Sequence, residues 1–353
     1  MIKNPDAVLE LEDGSKFRGH FFGKKRSVAG EVVFNTGMVG YPEMLTDPSY
    51  YGQIVIMTYP LVGNYGVPKQ DNGNVPKFFE SNRIQVTALI ISHLAQRPSH
   101  WSCDRTLDCW LDSENVPGIA GLDTRALTKK LREHGTMLGR ITAEDPVDFY
   151  DINKDNLVEK VSVEEPQMFD KGSKKVVLVD CGLKLNILRS LLDRGVSVKR
   201  VGWDYDYTKD DFDGLLISNG PGDPERCEKT ISILKSAVEM ERPIMGICLG
   251  NQLISLALGG KTYKLKYGHR SQNQPCIDES TGKCYITSQN HGYAVSPSSL
   301  PEDVDVWFRN LNDDTIEGIR HKSRPIFATQ FHPEDCPGPT DTRFIFDEFV
   351  KQL

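Results

Sequence analysis

The sequence predicts an α/β protein in two parts: a mixed, β-rich N-terminal domain, then a domain with a mainly parallel sheet flanked by helices. Two patterns carry that reading. After Lys175, short unbroken apolar runs alternate with helix-length amphipathic segments, as parallel strands covered on both faces do. Before residue 145, strand-like runs are separated by glycine and aspartate turns instead. A third observation sets the boundary. From Pro146 to Lys174 the chain turns dense in Asp, Asn, Lys and Glu, which reads as a surface-exposed linker. We therefore place the domains at 1–150 and 175–353, joined by a linker at 151–174.

In the first domain, Val8 to Leu11, Phe17 to Phe22 and Glu31 to Phe34 are short strands. Gln53 to Tyr59 and Gln85 to Ile91 are stronger, being rich in Ile, Val, Thr and Tyr. Asp123 to His134 is helical, with Leu127 and Leu131 on one face and Gly135 as its stop. In the second domain, strands are expected at Val176 to Val179, Val196 to Val201, Leu215 to Ser218 and Pro243 to Ile247. Helices are expected at Leu183 to Leu192, Glu228 to Met240 and Leu249 to Leu258. Further strands follow near Lys283 to Thr287, Val304 to Phe308 and Ile326 to Phe331. Asp341 to Leu353 closes the chain as a helix with Phe344, Ile345 and Phe349 on its apolar face.

Composition excludes several classes. The 353 residues carry 42 basic and 49 acidic side chains, a formal charge of −7, which does not suit a dedicated nucleic-acid binder. No apolar run reaches the length of a membrane span. Met1 to Glu12 lacks the apolar stretch of a secretory leader. The eight cysteines are sparse and irregularly spaced, which fits a reducing, cytoplasmic setting. None of the Cys and His spacings matches a common zinc arrangement, so no metal is expected. Gly260-Lys261-Thr262 resembles the end of a phosphate-binding loop, but position 255 is Ser where that motif needs glycine, and the tripeptide follows a helix.

The sharpest local feature is Gly246-Ile247-Cys248-Leu249-Gly250. It follows an apolar strand and opens a helix, the setting of a nucleophile elbow with Cys in place of Ser. Flanking glycines permit close backbone approach at such a turn, and the helix N-terminus favours negative charge there. The plain alternative is an inert core cysteine. A matching base tips the balance. His332-Pro333-Glu334 stands at the carboxyl end of another expected strand, where functional groups of open parallel sheets collect. His332 is placed to take the thiol proton, and Glu334 to fix the imidazole tautomer.

Two more segments belong with these. Ser218 to Pro224, with Gly220 and Gly222, reads either as a rigid turn or as a backbone wall for an acyl intermediate. Ser288 to Tyr293 is polar enough to grip an amino-acid substrate. His20, His93, His100, His134 and His321 read as ordinary histidines, and Cys181 as core. The basic stretch Tyr263 to Arg270 reads as a solvated face or a docking edge.

Residues 175–353 resemble the class I (triad) glutamine amidotransferase domain, on Gly246 to Gly250, Gln252 and His332-Pro333-Glu334. The first half is similar to the small, glutamine-hydrolysing subunit of carbamoyl-phosphate synthase. That likeness rests on Gly30 to Glu43, Thr46 to Tyr50, Tyr59 to Gly66 and Gly121 to Arg125. The resemblance covers essentially the whole chain.

It implies that Cys248 attacks the side-chain amide of L-glutamine, forms a glutamyl thioester and releases ammonia, with His332 as acid and base and Glu334 orienting it. It carries glutamine contacts onto Ser49, Gly220, Gly222, Leu249, Gln252, Asn290, Gly292 and Tyr293. Backbone amides near Gly222 and Leu249 form the implied oxyanion hole. The family passes ammonia to a large synthetase subunit or fused synthetase domain. That partner uses bicarbonate, ATP and Mg2+ to make carbamoyl phosphate for arginine or pyrimidine synthesis. The chain is too short to hold that partner, and no cofactor is expected within it.

Three departures stand out: Asn251 where the family often has His, Arg270-Ser271-Gln272 where it carries more glycine, and Cys336 where it has a small non-thiol residue. The triad is intact. The competing readings are a glutaminase for another acceptor pathway, a stand-alone cysteine hydrolase, and a non-catalytic scaffold that activates a synthetase.

Overall fold

A computed structural model describes residues 5–70, 73 and 75–353. Met1 to Asn4, part of the segment read above for a leader, lie outside the described residues. The chain divides into two compact units, Met1–Asp155 and Asn156–Leu353.

The first unit is built on a closed barrel of seven strands. Ala7–Leu11 alternates buried and half-buried side chains, with Ala7, Leu9 and Leu11 inward, the period-two pattern of a strand with one core face. It pairs antiparallel with Lys16–Gly23 and with Met137–Ile141. Val28–Asn35, Gln53–Met57, Ala88–Ile91 and Pro117–Ala120 then run parallel to one another. Closure leaves no free barrel edge. The expected helix is found at Thr124–His134. Asp123 caps it by accepting from the Ala126 N–H at 2.9 Å, and Gly135 ends it at φ 100°.

The second unit carries a ten-stranded sheet. Its centre is the parallel set Ser197–Gly202, Lys175–Asp180, Gly214–Ile217, Ile244–Ile247 and Ile326–Thr329, in that spatial order. Val176, Val177, Leu178 and Val179 are all buried, so both faces of their strand are covered. Helices Leu185–Asp193, Glu228–Val238 and Leu249–Ala257 follow the first, third and fourth of the expected apolar strands. Leu253 and Ile254 join Val177, Ile217 and Ile244 in one core, where each such side chain contributes about 1.5–3 kcal/mol by leaving water.

The structure departs from the sequence reading in three places. Residues 151–174 are not a plain tether. Leu157 and Val158 are buried, and Gln167–Phe169 adds an antiparallel strand to the edge of the sheet. Gln167 and Met168 stay exposed, which is why the segment looked like a linker. The stretch Tyr263 to Arg270 belongs to Thr262–Asp278, a strand of 17 residues paired with Cys284–Val295; Lys264 and Lys266 are exposed, as a solvated face requires, but His269 and Arg270 are buried. In the last helix, Phe344–Gln352, the buried residues are Ile345, Phe346 and Phe349, while Phe344 lies half-exposed against Tyr285. Among the described residues no helix is long and apolar enough to cross a membrane.

Candidate active site

The elbow is built by two neighbouring parallel strands. Ile244–Ile247 pairs with Ile326–Thr329 so that Gly246 faces Ala328 and Ile247 faces Thr329. One strand therefore runs directly into Cys248, the other into His332, at the same carboxyl edge. The Cys248 N–H donates to the Thr329 carbonyl at 2.7 Å, the last bond of the ladder. Cys248 then takes φ 56° and ψ −103°, and helix Leu249–Ala257 begins at the next residue. A non-glycine residue held there carries backbone strain, as nucleophile elbows do.

The flanking glycines are needed for space. A Cβ on Gly250 would stand 2.2 Å from the Ile217 carbonyl oxygen, and one on Gly246 would stand 2.6 Å from Ile254 Cδ1. The turn is thus wedged between its own helix and the adjacent strand, which aims the Cys248 side chain at the sheet edge. Leu249 lies in the helix's first turn, where backbone N–H groups have no intrahelical acceptor and are open to an oxyanion.

Cys248 is 2% exposed, and its Sγ lies 3.6 Å from the Asn290 carbonyl oxygen. The thiol is also close enough to His332 to raise the ring's proton affinity. Nε2 of His332 nevertheless makes no hydrogen bond to a described residue. A catalytic contact that tightens only when substrate arrives has this loose form. The other ring nitrogen is firmly held: His332 Nδ1 and Glu334 Oε1 are 2.7 Å apart. A carboxylate only accepts, so Nδ1 carries a proton, and Nε2 is the nitrogen left to exchange one with the thiol.

Both members are buried, and their charges stabilise each other. Burial opposes an imidazolium at His332, but the Glu334 carboxylate outweighs it and holds the ring well above its ordinary value. Burial likewise opposes charge on Glu334, and Lys184 and His332 together hold that carboxyl well below the usual range. Lys184 is 3% exposed. Its Nζ donates to Glu334 Oε1 at 2.9 Å and to the Asp335 carbonyl at 2.6 Å. Asn186 Nδ2 donates to the Glu334 backbone carbonyl. The sequence reading missed Lys184 and Asn186. Their signal was present: both follow the apolar strand Lys175–Asp180, at the edge where Cys248 and His332 emerge.

The remaining predicted residues fall as follows. Gly220 packs on the elbow, since a Cβ there would meet Leu249 Cδ2 at 2.8 Å and the Cys181 carbonyl oxygen at 2.0 Å. Gly222 has φ 87°, a conformation that favours glycine, beside Leu157. Gln252 Nε2 donates to the Tyr293 carbonyl at 2.9 Å and to Gln330 Oε1 at 3.1 Å, which ties the elbow helix to strand Cys284–Val295. That strand carries Asn290, Gly292 and Tyr293. Asn251, fully buried, donates its Nδ2 to the same Gln330 oxygen at 3.2 Å. Ser49 lies in the first unit, 5% exposed in the turn Pro48–Tyr50, with its N–H on Asp47 Oδ1 at 2.9 Å. Cys181 is buried core, and all eight cysteines are free thiols.

Comparison with known proteins places this geometry. Residues 177–352 match the family described as glutamine amidotransferase class-I. Residues 9–141 match the carbamoyl-phosphate synthase small chain, CPSase domain. The carbamoyl phosphate synthase arginine-specific small chain of Neurospora crassa is 48% identical over 361 residues, covering 99% of this chain and 80% of that one. The multifunctional protein CAD of Squalus acanthias is 53% identical over 354 residues, covering 98% of this chain and 16% of that protein. The mitochondrial carbamoyl-phosphate synthase (ammonia) of Aquarana catesbeiana is 47% identical over 360 residues, and the chain spans 24% of it. The chain is thus a small part of the fused relatives and most of the length of the separate small chain. With both halves matched in order, the chain belongs to the carbamoyl-phosphate synthase small-chain family, and its second unit is a class I glutamine amidotransferase domain.

Proposed function

We propose that the protein hydrolyses L-glutamine to glutamate and ammonia through a Cys248 thioester, and passes the ammonia to a carbamoyl-phosphate synthetase. The observation that carries this reading is Cys248 on its strained elbow, one strand away from the buried His332–Glu334 pair.

His332 Nε2 takes the thiol proton as Sγ bonds to the amide carbon. The resulting imidazolium is stabilised by Glu334, whose charge Lys184 holds in place. The oxyanion is received by backbone N–H groups of Leu249 and the Gly220–Gly222 turn. His332 then gives its proton to the leaving nitrogen, ammonia departs, and the same ring activates water to cleave the thioester. Gln252, Asn290, Gly292 and Tyr293 take the substrate's amino-acid end.

The partner is a large synthetase subunit or a fused synthetase domain. It supplies the ATP, Mg2+ and bicarbonate chemistry for arginine or pyrimidine synthesis. Channelled transfer fits the chemistry, because ammonia that equilibrates with water near neutral pH becomes mostly non-nucleophilic ammonium. Eight free thiols suit the reducing cytoplasm.

The test is glutamate release from L-glutamine by the wild-type chain and by Cys248→Ser, each with and without a synthetase partner. Loss of release in Cys248→Ser is expected, with stimulation of the wild type by the partner. Equal release by both proteins would overturn the catalytic assignment.

A further inference from the structure

Beside the triad, the antiparallel half of the second unit's sheet buries another polar cluster. His269 comes from strand Thr262–Asp278, His291 from Cys284–Val295 and Glu317 from Ile316–His321. All three are buried, Glu317 completely. One ligand-capable atom from each lies within 4.8 Å of the others. His269 Nδ1 is 3.4 Å from Glu317 Oε1, and His291 Nε2 is 3.8 Å from the same oxygen.

The outer hydrogen bonds decide which way the ring lone pairs point. The Asp313 carboxylate and the Tyr293 carbonyl can only accept. His269 therefore donates Nε2–H to Asp313 Oδ2 at 2.9 Å, and His291 donates Nδ1–H to the Tyr293 carbonyl at 2.8 Å. In neutral rings so held, His269 Nδ1 and His291 Nε2 turn lone pairs toward Glu317. Gln289 adds a fourth acceptor, with Oε1 3.1 Å from His291 Nε2. Among the described residues, the hydrogen-bond donors to Glu317 Oε1 are the neutral Thr315 Oγ1 at 3.1 Å and Asn310 Nδ2 at 3.4 Å. Glu317 Oε2 and His269 Nδ1 have no hydrogen-bond partner among the described residues. Three acceptors converge on one buried point with a fourth beside His291, and the missing member is a cation.

We propose that His269, His291 and Glu317 form a binding site for a divalent late first-row metal ion, with zinc as its best match. Two imidazoles and a carboxylate are a ligand set that Zn2+ accepts. A tetrahedron with Zn–N near 2.0–2.1 Å has ligand-to-ligand edges of about 3.3 Å; the two edges to Glu317, at 3.4 and 3.8 Å, already lie near it, and the two imidazole nitrogens, within 4.8 Å of each other, would draw together around the ion. The carboxylate and the carbonyl behind the two rings are the outer partners that fix ligating histidines. Gln289 Oε1 or a water completes the set. The ion would clamp three strands, one of which presents Asn290 to Cys248. Sequence spacing gave no hint of this, because the ligands are 22 and 26 residues apart and meet only across the sheet. The rival occupant is a proton on His269 Nδ1, shared with Glu317.

The experiment uses the full chain without a polyhistidine tag. Metal is removed with chelator, Zn2+ is restored, excess is dialysed away, and zinc per chain and thermal unfolding are measured. About one zinc per chain is expected in the wild type and in Cys248→Ser, with a higher Tm than the chelated protein. His269→Ala and Glu317→Ala should lose both. Zinc K-edge spectroscopy of the wild type should show nitrogen and oxygen ligands only, a readout that does not depend on variants folding. No zinc retained by the wild type would assign the position to the proton. Sulfur ligation would place the metal on a thiol outside the proposed ligand set, and zinc lost in Cys248→Ser would place it at the triad. Any of these results overturns the proposal.

Discussion

Lys184 Nζ stands 2.9 Å from Glu334 Oε1 in a pair almost wholly shut off from water. It is the third link of a chain that runs from Cys248 to His332 to Glu334. A lysine here does two jobs: it neutralises a buried carboxylate, and it fixes the oxygen that fixes the imidazole.

Lys184→Met should therefore damage both folding and catalysis. Leaving the buried Glu334 carboxylate without its ammonium partner, with His332 beside it, costs up to roughly 3–5 kcal/mol, the usual penalty for breaking one side of a buried pair. Adding Glu334→Gln removes the orphaned charge and should recover part of that stability without recovering activity. Urea unfolding of the single and double variants checks this. A double variant no more stable than Lys184→Met would disprove the electrostatic account.

Stability should depend on the triad at alkaline pH. His332 binds its proton more tightly folded than unfolded. Its contribution is thus complete below the ordinary imidazole value and is lost as pH rises through the raised one. Glu334 has the opposite sign: its contribution is present above the ordinary carboxylate value and lost as pH falls through the lowered one. Unfolding free energies at pH 6 and pH 9 should fall more for the wild type than for His332→Asn. Parallel losses would show that His332 is not the titrating group.

Cys248→Gly separates strain from chemistry. Holding a non-glycine residue at φ 56° and ψ −103° costs about 1–3 kcal/mol, which glycine does not pay. The variant should unfold at a Tm equal to or above the wild type's, while glutaminase activity drops roughly ten-thousand-fold or more. A clear drop in Tm would mean that the elbow is not strained.

Gly250→Ala should be worse than Gly246→Ala. The first drives a Cβ to 2.2 Å from backbone of the neighbouring strand, the Ile217 carbonyl oxygen, and the second to 2.6 Å from the tip of Ile254 and 2.7 Å from the Gly250 carbonyl, a less severe overlap. We expect overpacking of about 1–3 kcal/mol or more for Gly250→Ala, together with loss of kcat as the elbow shifts. Calorimetry on both variants distinguishes them, and equal destabilisation would count against the close-approach argument.

Gln252→Ala should act on substrate binding. Removing its bond to the Tyr293 carbonyl frees strand Cys284–Val295 from the elbow helix. One such bond is worth about 1 kcal/mol, so KM for glutamine should rise around fivefold or more with a smaller change in kcat. A pure kcat effect would assign Gln252 to the chemistry instead.

Much of this was legible in the residues. Unbroken runs such as Val176 to Val179 announced two-face burial, and the Gly-x-Cys-x-Gly turn announced its own crowding, because no side chain fits between a strand and the helix it feeds. His332 and Glu334 were legible since they end a strand. The antiparallel half was harder. Thr262–Asp278 mixes Lys, His, Arg and Gln, and polar strands buried through side-chain pairing carry no hydrophobic period to detect. The edge strand Gln167–Phe169 was hidden for another reason: its side chains stay largely exposed, so it has no buried apolar face to detect.

Sequence by itself determined the alternation of strands and helices, the elbow at Cys248, the placing of His332 and Glu334 at the end of a strand, and the family. These are local properties, written in spacing, residue type and motif. Tertiary structure alone decided that Ile244–Ile247 and Ile326–Thr329 are neighbours, that Lys184 reaches Glu334, and that His269, His291 and Glu317 converge. Each of those depends on strand order in the sheet, and strand order is set by packing across the whole unit rather than by any residue's near neighbours.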